Sequence, residues 1–393
     1  MQARQNIARL EAILLTALFC AGIGIPAAKQ LIFGEPDTRL IEARKLNAFP
    51  KKPRKSVGSV RQFARDFEGY YNDHFGFRSA LLRLGGFVKY QWLNISPAAN
   101  VEIGKCGWLF LKDDVNYHGT HELTRDDLEH WRLTLEHRQE WLASRGIRYI
   151  YVVAPDKRTI YPDFLPDALN GGDQKTAGMQ LVEYLSVHSK LRIVSLREPL
   201  LEARAKSGDR LYYPTDTHWN TVGANWGYRG IILRLQQWFP ELKPEERSDF
   251  RITEEIHMGD LSRMIGLAES SAVNEVALLP PDTPQTSKTQ FKLPDVEQTA
   301  GTLPFKIKNA SASSKLRIVV LRDSFCTALV PYFARQFSET TFIYSTEMSQ
   351  KFETDLGDLV EREKPDVFIE ERVERVLTGG PPNESLVFGG KKQ

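Results

Sequence analysis

The sequence predicts an α/β fold built on an open, mainly parallel sheet flanked by helices and preceded by an N-terminal apolar anchor. Runs of aliphatic and β-branched residues, such as 147–153 and 316–321, stand between polar segments and are typical of buried strands. Helix-patterned segments separate these runs, as expected where parallel strands are joined by helical crossovers. Residues 12–28 carry no charge, which predicts a membrane-inserting helix.

Composition allows a large folded domain and gives no indication of nucleic acid, a metal or a cofactor. The chain has 393 residues, of which 41% are hydrophobic, and 52 basic and 50 acidic residues leave a net charge of +2. No CxxC pair or zinc-ligand spacing is present, and the eight histidines are scattered. Cys20 lies in the apolar run, so Cys106 and Cys326 are the remaining pair, and their pairing stays open.

We interpret residues 1–30 as an uncleaved signal anchor. Arg4 and Arg9 precede the apolar run, which places the N-terminus in the cytoplasm and the rest in the bacterial periplasm. No small-residue cleavage site follows, and Phe19 precedes Cys20 where a lipoprotein signal has a small residue. A cleaved signal and a soluble periplasmic protein are the alternative. Residues 31–58, rich in basic residues and proline, read as a stalk.

The remaining residues predict one domain, 59–380, followed by a tail at 381–393. Its predicted helices and strands alternate for most of its length, with a helical aromatic segment at the start. They are the helical segment 59–94, strand 107–111, helix 124–145, strand 147–153, helix 174–188, strand 191–196, helix 222–238, the strand before Ser324, helix 326–338, strand 340–344, helix 355–363 and strand 365–370. Residues 240–313 are polar and proline-rich, so we expect an irregular, β-rich insertion there.

Three residues suggest nucleophilic catalysis. Asp216 and His218 share a polar loop just before a helix, and Ser324 follows a buried strand. Open α/β sheets bind ligands beyond the carboxyl ends of their strands, so we expect the serine at that edge. A serine hydroxyl needs a base, and the base needs an acid that orients it. The spacing predicts a triad of Ser324, His218 and Asp216, with backbone N–H groups near Ser324 stabilising an oxyanion.

Other residues carry weaker indications. Lys157 and Tyr344 follow or end predicted strands, and we expect them to contact substrate; a solvated lysine and a core tyrosine are the alternatives. Trp219 is a candidate stacking platform, with core packing as its alternative. For the adjacent Asp73 and His74, and for the loop 257–262, a structural role is favoured over a catalytic one.

Six motifs stand in order along the chain. They are Tyr71-Asn72-Asp73-His74-Phe75-Gly76-Phe77-Arg78, Gly107-Trp108-Leu109-Phe110, Ala154-Pro155-Asp156-Lys157, Asp216-Thr217-His218-Trp219-Asn220, Gly259-Asp260-Leu261 and Asp323-Ser324-Phe325. Together these motifs resemble the alginate O-acetyltransferase (AlgJ/AlgX) group of SGNH-like proteins. The serine block follows the Asp-x-His block, as in the permuted arrangement of that group. Arg322 departs from the pattern, because the family motif has glycine before the Asp-Ser pair.

The resemblance implies an SGNH-like serine O-acetyltransferase that modifies an exported polysaccharide similar to alginate. It also implies an acyl donor supplied by a separate membrane-bound acyl-transfer (MBOAT-like) protein. Arg322, in the place of the family's glycine, is itself a candidate oxyanion or substrate residue. We expect its bulk to alter the oxyanion turn and to affect the efficiency of the reaction rather than the triad.

Two other functions remain open at this stage. A carbohydrate acetylesterase would use the same triad with water as the acceptor. A non-catalytic polymer-binding component of a secretion complex would keep the fold without the chemistry, and Arg322 favours that alternative.

Overall fold

The computed structural model describes residues 2–33, 46–112, 123–169, 175–267, 271–281, 286–294, 298–299, 301–345 and 350–381. The chain divides into two compact units. One contains residues 1–101 and 260–271, and the other contains residues 102–259 and 272–393. The expected domain boundary at residue 58 therefore falls inside the first unit. Residues 34–45 of the expected stalk and 382–393 of the expected tail lie outside the described residues.

The described helices and strands are numbered in chain order. The helices are α1 Gln2–Phe33, α2 Val57–Asp73, α3 Arg78–Leu93, α4 Arg125–Ala143, α5 Lys157–Ile160, α6 Ala177–His188, α7 Arg197–Ser207, α8 Thr221–Leu235, α9 Asp260–Met264, α10 Val330–Gln336 and α11 Gln350–Glu363. The strands are β1 Val101–Ile103, β2 Leu109–Leu111, β3 Arg148–Ala154, β4 Ile193–Ser195, β5 Arg251–His257, β6 Val273–Leu279, β7 Thr286–Gln290, β8 Phe305–Asn309, β9 Ser314–Arg322, β10 Phe337–Tyr344 and β11 Val367–Val373.

Helix α1 contains the apolar N-terminal run. Its segment Arg9–Phe33 contains an 18-residue window with a mean hydropathy of 1.9 and is long and apolar enough to cross a bilayer. A signal sequence near an N-terminus has the same properties, so length and composition leave both alternatives standing.

The aromatic segment 59–94 forms two helices rather than one. Helix α2 starts at the N-cap Ser56, whose hydroxyl accepts from the N–H of Ser59 at 3.2 Å. It ends at His74. The backbone N–H of His74 donates to the Tyr70 carbonyl, and the ring Nδ1 of His74 contacts the same oxygen. The Asp73 carboxylate accepts from Asn47 at 2.8 and 2.7 Å. Asp73 and His74 thus have the structural role that the sequence favoured.

A seven-stranded sheet organises the second unit, in the order β4-β3-β11-β9-β10-β8-β7. Strands β4, β3, β11, β9 and β10 are parallel, whereas β8 and β7 add an antiparallel edge. The expected insertion 240–313 supplies that edge and also the separate antiparallel pair β5–β6. This region is more regular than the sequence suggested.

Helices cover both faces of the sheet, because alternate strand residues point to opposite sides. Ile150 and Val152 of β3 pack towards α7, α8 and α10. Tyr149 and Tyr151 of the same strand pack towards α4, α6 and α11. The predicted fold class, a mainly parallel sheet flanked by helices, is confirmed.

The segment after Ser324 explains how a helix tolerates a proline. It begins as a 3-10 turn, Phe325–Leu329, and continues as α10, with Pro331 in the first turn where its missing N–H costs little. Cys326 is buried in this turn, whereas Cys106 is exposed, and both thiols are free.

Candidate active site

The loop that carries Asp216 and His218 is a tight hairpin. Tyr212 and Trp219 form an antiparallel bridge, and the N–H of Tyr213 donates to the His218 carbonyl at 3.3 Å. The residues between Tyr212 and Trp219 turn sharply, so the side chains of Asp216 and His218 project from the same tip of the hairpin. The N–H of His218 also donates to Oδ1 of Asp216 at 3.0 Å, which fixes the carboxylate.

The residues after His218 attach this hairpin to α8 and the core. Asn220 caps α8 by accepting from the N–H of Gly223 at 2.9 Å. A side chain at Gly223 would place its Cβ 2.2 Å from the Leu211 carbonyl, so the position requires glycine. The indole of Trp219 is buried and donates to the Phe325 carbonyl at 3.0 Å. Trp219 therefore has core packing, the alternative to a stacking platform, and it ties the hairpin to the serine turn.

Ser324 lies two residues beyond the carboxyl end of β9. Asp323 shapes the turn, because its Oδ1 accepts from the N–H of Phe325 at 2.8 Å and its Oδ2 accepts from the N–H of Val373 at 2.7 Å. The Phe325 N–H is thus engaged. For the N–H of Ser324, the described residues supply no acceptor, which leaves this donor suited to an oxyanion.

The three predicted side chains form one hydrogen-bonded line. His218 Nε2 lies 2.9 Å from Ser324 Oγ, and His218 Nδ1 lies 2.8 Å from Asp216 Oδ1. Both distances suit proton transfer between a hydroxyl and an imidazole that an acid orients. The side chain of His218 is 30% exposed and that of Asp216 only 10%. The hydroxyl and imidazole are therefore accessible while the acid is shielded from water.

A second imidazole contacts the same acid. His257, the last residue of β5, places Nε2 3.0 Å from Asp216 Oδ2. Its ring stacks on Tyr213 with centroids 3.6 Å apart. Burial alone would raise the pKa of Asp216, but hydrogen bonds from His218 and His257 outweigh it and hold that pKa well below its usual range.

Lys157 supports the hairpin through its buried ammonium group. Its side chain is buried, and its ammonium donates to the carbonyls of Tyr213, Pro214 and Asp216 at 3.1, 2.9 and 2.6 Å. The ammonium also lies 5.1 Å from the ring centroid of Phe110. The expected contact with a sugar is replaced by an internal one, because a buried charge needs its partners inside the protein.

Arg322 braces the serine turn instead of crowding it. Its Nη1 donates to the Asp323 carbonyl and to Thr327 Oγ1, both at 3.1 Å. Its guanidinium lies 5.0 Å from the ring centroid of Tyr344 and 5.7 Å from that of Phe305. A side chain therefore takes the place of the glycine expected in this motif without displacing Ser324 from His218.

Ser324 opens into a cleft of about 490 Å³. Tyr344 lies in the wall of this cleft, and its contact with substrate stays a prediction. The wall also contains Trp131, whose buried indole N–H has no hydrogen-bond partner within the described parts of the chain. Arg372 and Arg375 line the cleft as well, and the Arg375 guanidinium lies 5.1 Å from the ring centroid of Phe325.

Sequence reasoning missed three contributors to this site. His257 was considered only as part of a nearby loop. Arg375 pairs with the buried Asp156 of the Ala-Pro-Asp-Lys motif, and Trp131 appeared as an ordinary apolar residue of a helix. A signal came only from Asp156, the partner of Arg375, because it stands in a recognised motif two residues after the end of β3.

The chain resembles known proteins at low identity. Residues 101–303, over half of the chain, match the family model "SGNH hydrolase-like domain, acetyltransferase AlgX". The matched segment contains Asp216 and His218, whereas Ser324 lies beyond it.

Curated relatives include the probable alginate O-acetylase AlgJ of Pseudomonas aeruginosa, 24% identical over 52% of this chain and 51% of the relative. The AlgJ of Azotobacter vinelandii is 24% identical over 56% of this chain and 55% of the relative. The chain thus spans about half the length of the curated relatives it matches.

Among solved structures, Bacillus cereus PatB1 superposes with a TM-score of 0.52 at 18% identity, over 69% of this chain and 94% of PatB1. At that identity the likeness supports the fold alone, and it agrees with the parallel sheet described above. Together with the family match, it leads to one conclusion: this chain belongs to the family of SGNH hydrolase-like domains of the acetyltransferase AlgX.

Proposed function

We propose that this chain is an O-acetyltransferase that passes an acetyl group through Ser324 to a hydroxyl of an exported polysaccharide. The observation that carries the proposal is the continuous contact from Ser324 Oγ to His218 to Asp216, at 2.9 and 2.8 Å. Membership in the acetyltransferase family supports acetyl as the transferred group, and the AlgJ relatives support an alginate-like acceptor.

The geometry allows a two-step reaction. In the first step His218 Nε2 takes the proton of Ser324 as Oγ bonds to the acetyl carbonyl carbon, and the proton then passes to the leaving group of the donor. In the second step His218 takes a proton from a sugar hydroxyl, whose oxygen attacks the acetyl carbon and displaces Ser324. His218 returns the proton to Oγ, and Asp216 stabilises the imidazolium in both steps.

The cleft suits a hydroxyl-rich, acidic acceptor. Arg372 and Arg375 line the wall beside Ser324. They pair with Glu370 and Asp156 of the protein, and they place positive charge beside the cleft. Trp131 and Tyr344 offer aromatic surface and polar hydrogens in the same cleft. An acidic polysaccharide is therefore the acceptor class that we propose.

We further propose that α1 anchors the protein in the bacterial inner membrane, with the second unit in the periplasm. The apolar helix and the Arg4 and Arg9 residues before the apolar run support this topology. An acyl donor would then arrive from a membrane-bound acyl-transfer protein.

The test uses the full chain in detergent, with p-nitrophenyl acetate as the donor and uronic-acid oligosaccharides as acceptors. We expect an acetyl adduct on Ser324 by mass spectrometry and acetylated oligosaccharide as product. Ser324→Ala should lose both. Ser345→Ala is the matched control, because Ser345 lines the same cleft without contacting His218.

Two outcomes contradict the proposal. Free acetate at the same rate with and without oligosaccharide would identify an acetylesterase. Absence of any adduct in a folded protein would favour a polymer-binding component without catalysis.

A further inference from the structure

Helix α3 of the first unit carries an apolar stripe that its own unit leaves exposed. Leu81, Leu84, Val88 and Trp92 recur at spacings of three and four, so they share one face of the helix. Leu81 is 54% exposed, Leu84 60% and Trp92 75%. A stripe of this kind on a helix indicates an apolar partner.

The opposite face of α3 is the one that packs within the unit. Ser79 and Gly86 are buried there, and a Cβ at Gly86 would come within 2.8 Å of the Ile265 carbonyl. Packing inside the unit therefore accounts for that face and not for the stripe. The polar side chain of Arg83 projects away from the stripe by helical geometry and is exposed.

The start of α3 is held against the apolar helix α1. A Cβ at Gly76, two residues before α3, would lie 2.0 Å from the Pro26 carbonyl, so the turn touches the α1 backbone. The ammonium of Lys29 lies 5.4 Å from the ring centroid of Phe77. These two contacts fix where along α1 the turn before α3 sits.

That position is near the outer surface of a bilayer. Counting from Arg9, Pro26 lies about 26 Å along the helix at 1.5 Å per residue. A hydrocarbon core is about 30 Å thick, so Pro26 approaches its far boundary and Lys29 reaches the headgroup region. The turn at Gly76 therefore brings α3 to the height of the membrane interface.

We propose that α3 lies on the outer face of the membrane, with Leu81, Leu84, Val88 and Trp92 inserted among the lipids. Trp92 is of the type that favours the interface, and Arg78 and Lys89 supply positive charge for anionic headgroups. The inference rests on the proposed anchor, not on acetyl transfer.

Such docking would orient the first unit with respect to the bilayer. A single spanning helix leaves a domain free to rotate, whereas an inserted helix beside it restricts that rotation. An acyl donor delivered at the membrane surface would then meet a protein held close to that surface.

The test measures whether residue 92 faces lipid or water. The full chain carries Cys20→Ser and Cys106→Ser, with Cys326 left in place because it is buried. Trp92→Cys is labelled with the fluorophore NBD and reconstituted into vesicles of phosphatidylcholine and phosphatidylglycerol. Arg83→Cys is the matched control on the opposite face, and Leu84→Cys is a second position on the stripe.

At positions 92 and 84 we expect blue-shifted emission, strong quenching by doxyl-labelled lipid and weak quenching by aqueous iodide. Position 83 should show the reverse. Equal iodide quenching at 92 and 83 would overturn the proposal. Protection of position 92 from both quenchers would overturn it too, because a protein partner would then cover the stripe.

A second measurement on the same samples tests the proposed function independently of membrane docking. Labelling of Ser324 by a sulfonyl fluoride, read by mass spectrometry, reports the reactive serine independently of lipid contact. Loss of lipid quenching with intact serine labelling rejects the docking alone, whereas the opposite pattern rejects only the acyl chemistry.

Discussion

Nε2 of His257 lies 3.0 Å from Oδ2 of Asp216, so one carboxylate serves two imidazoles. The other oxygen, Oδ1, contacts Nδ1 of His218 at 2.8 Å. With both oxygens engaged, the carboxylate cannot rotate away from the base. Tyr213 holds the second imidazole by stacking, and its hydroxyl donates to Glu255 at 2.8 Å. His257 is thus a positioning residue that acts through Asp216.

Replacing His257 should slow turnover without weakening acceptor binding. We expect His257→Ala to lower kcat about tenfold with KM nearly unchanged, because a hydrogen bond to a charged group contributes about 1.5–3 kcal/mol. His257→Gln should restore much of the rate, since its amide can donate to Oδ2. Steady-state acetyl transfer measures both. His137→Ala, an exposed histidine of α4, is the control, and an unchanged kcat in His257→Ala would remove His257 from the mechanism.

Lys157→Met should destabilise the fold as well as the site. Three carbonyls of the hairpin lose their donor, and buried acceptors left without a partner are costly. We expect the free energy of unfolding to fall by about 3 kcal/mol, measured by denaturant titration of the full chain in detergent. Lys175→Met, at an exposed lysine, should change it little. Equal stability of the two variants would show that Lys157 does not support the hairpin.

Gly259 determines how closely the chain approaches the hairpin from β5. An added Cβ would lie 1.9 Å from the Thr215 carbonyl oxygen, one residue before Asp216. We expect Gly259→Ala to lower the unfolding free energy by about 2 kcal/mol and to reduce acetyl transfer, because backbone must move. Thermal unfolding and activity assays test this. Gly301→Ala, where the added atom meets open space, should behave like the natural protein; similar behaviour of both variants would contradict the expectation.

Glu371 makes stability depend on pH. Burial, followed by the charge of Asp323, raises the pKa of Glu371 well above its ordinary value of 4.5. The folded protein then binds this proton more tightly than the unfolded chain, so stability falls as pH rises from about 4.5 through the raised pKa. Glu371→Gln removes that titration while keeping an acceptor for the Asp323 N–H, which contacts Glu371 at 3.3 Å.

We therefore expect Glu371→Gln to be more stable than the natural protein at pH 8 and to lose part of the pH dependence above pH 5. Unfolding midpoints measured across that range provide the test. Glu361→Gln, at an exposed glutamate of α11, is the control. Parallel pH curves for the natural protein and Glu371→Gln would show that the buried acid does not titrate as described.

The central strands and the contact of Asp216, His218 and Ser324 were predictable from the sequence. Buried parallel strands read as uninterrupted aliphatic runs, and their carboxyl ends meet at one edge. The serine after β9 and the hairpin before α8 were therefore expected to approach each other. Their catalytic role stays a proposal.

Contacts between distant, polar segments were not predictable. His257 reaches Asp216 across 41 residues, and neither local sequence nor periodicity encodes that approach. A lysine side chain is normally exposed to solvent, so the buried position of Lys157 was unexpected. Strands β7 and β8 escaped notice because neither has the apolar run that marks a central parallel strand. Strand β7 is exposed at the sheet edge, and β8, between β10 and β7, alternates buried and more exposed residues.

The antiparallel edge of the sheet has a consequence for the protein at high concentration. Strand β7, Thr286–Gln290, ends the strand order and is exposed along its whole length. An open edge offers backbone groups to any extended chain, which is how sheets of separate molecules join. Here Lys288 places a charge in the middle of a short strand of threonine, serine and glutamine. Two copies of the protein that joined edge to edge would have to bury that ammonium. The edge formed by β7 therefore resists fibril growth.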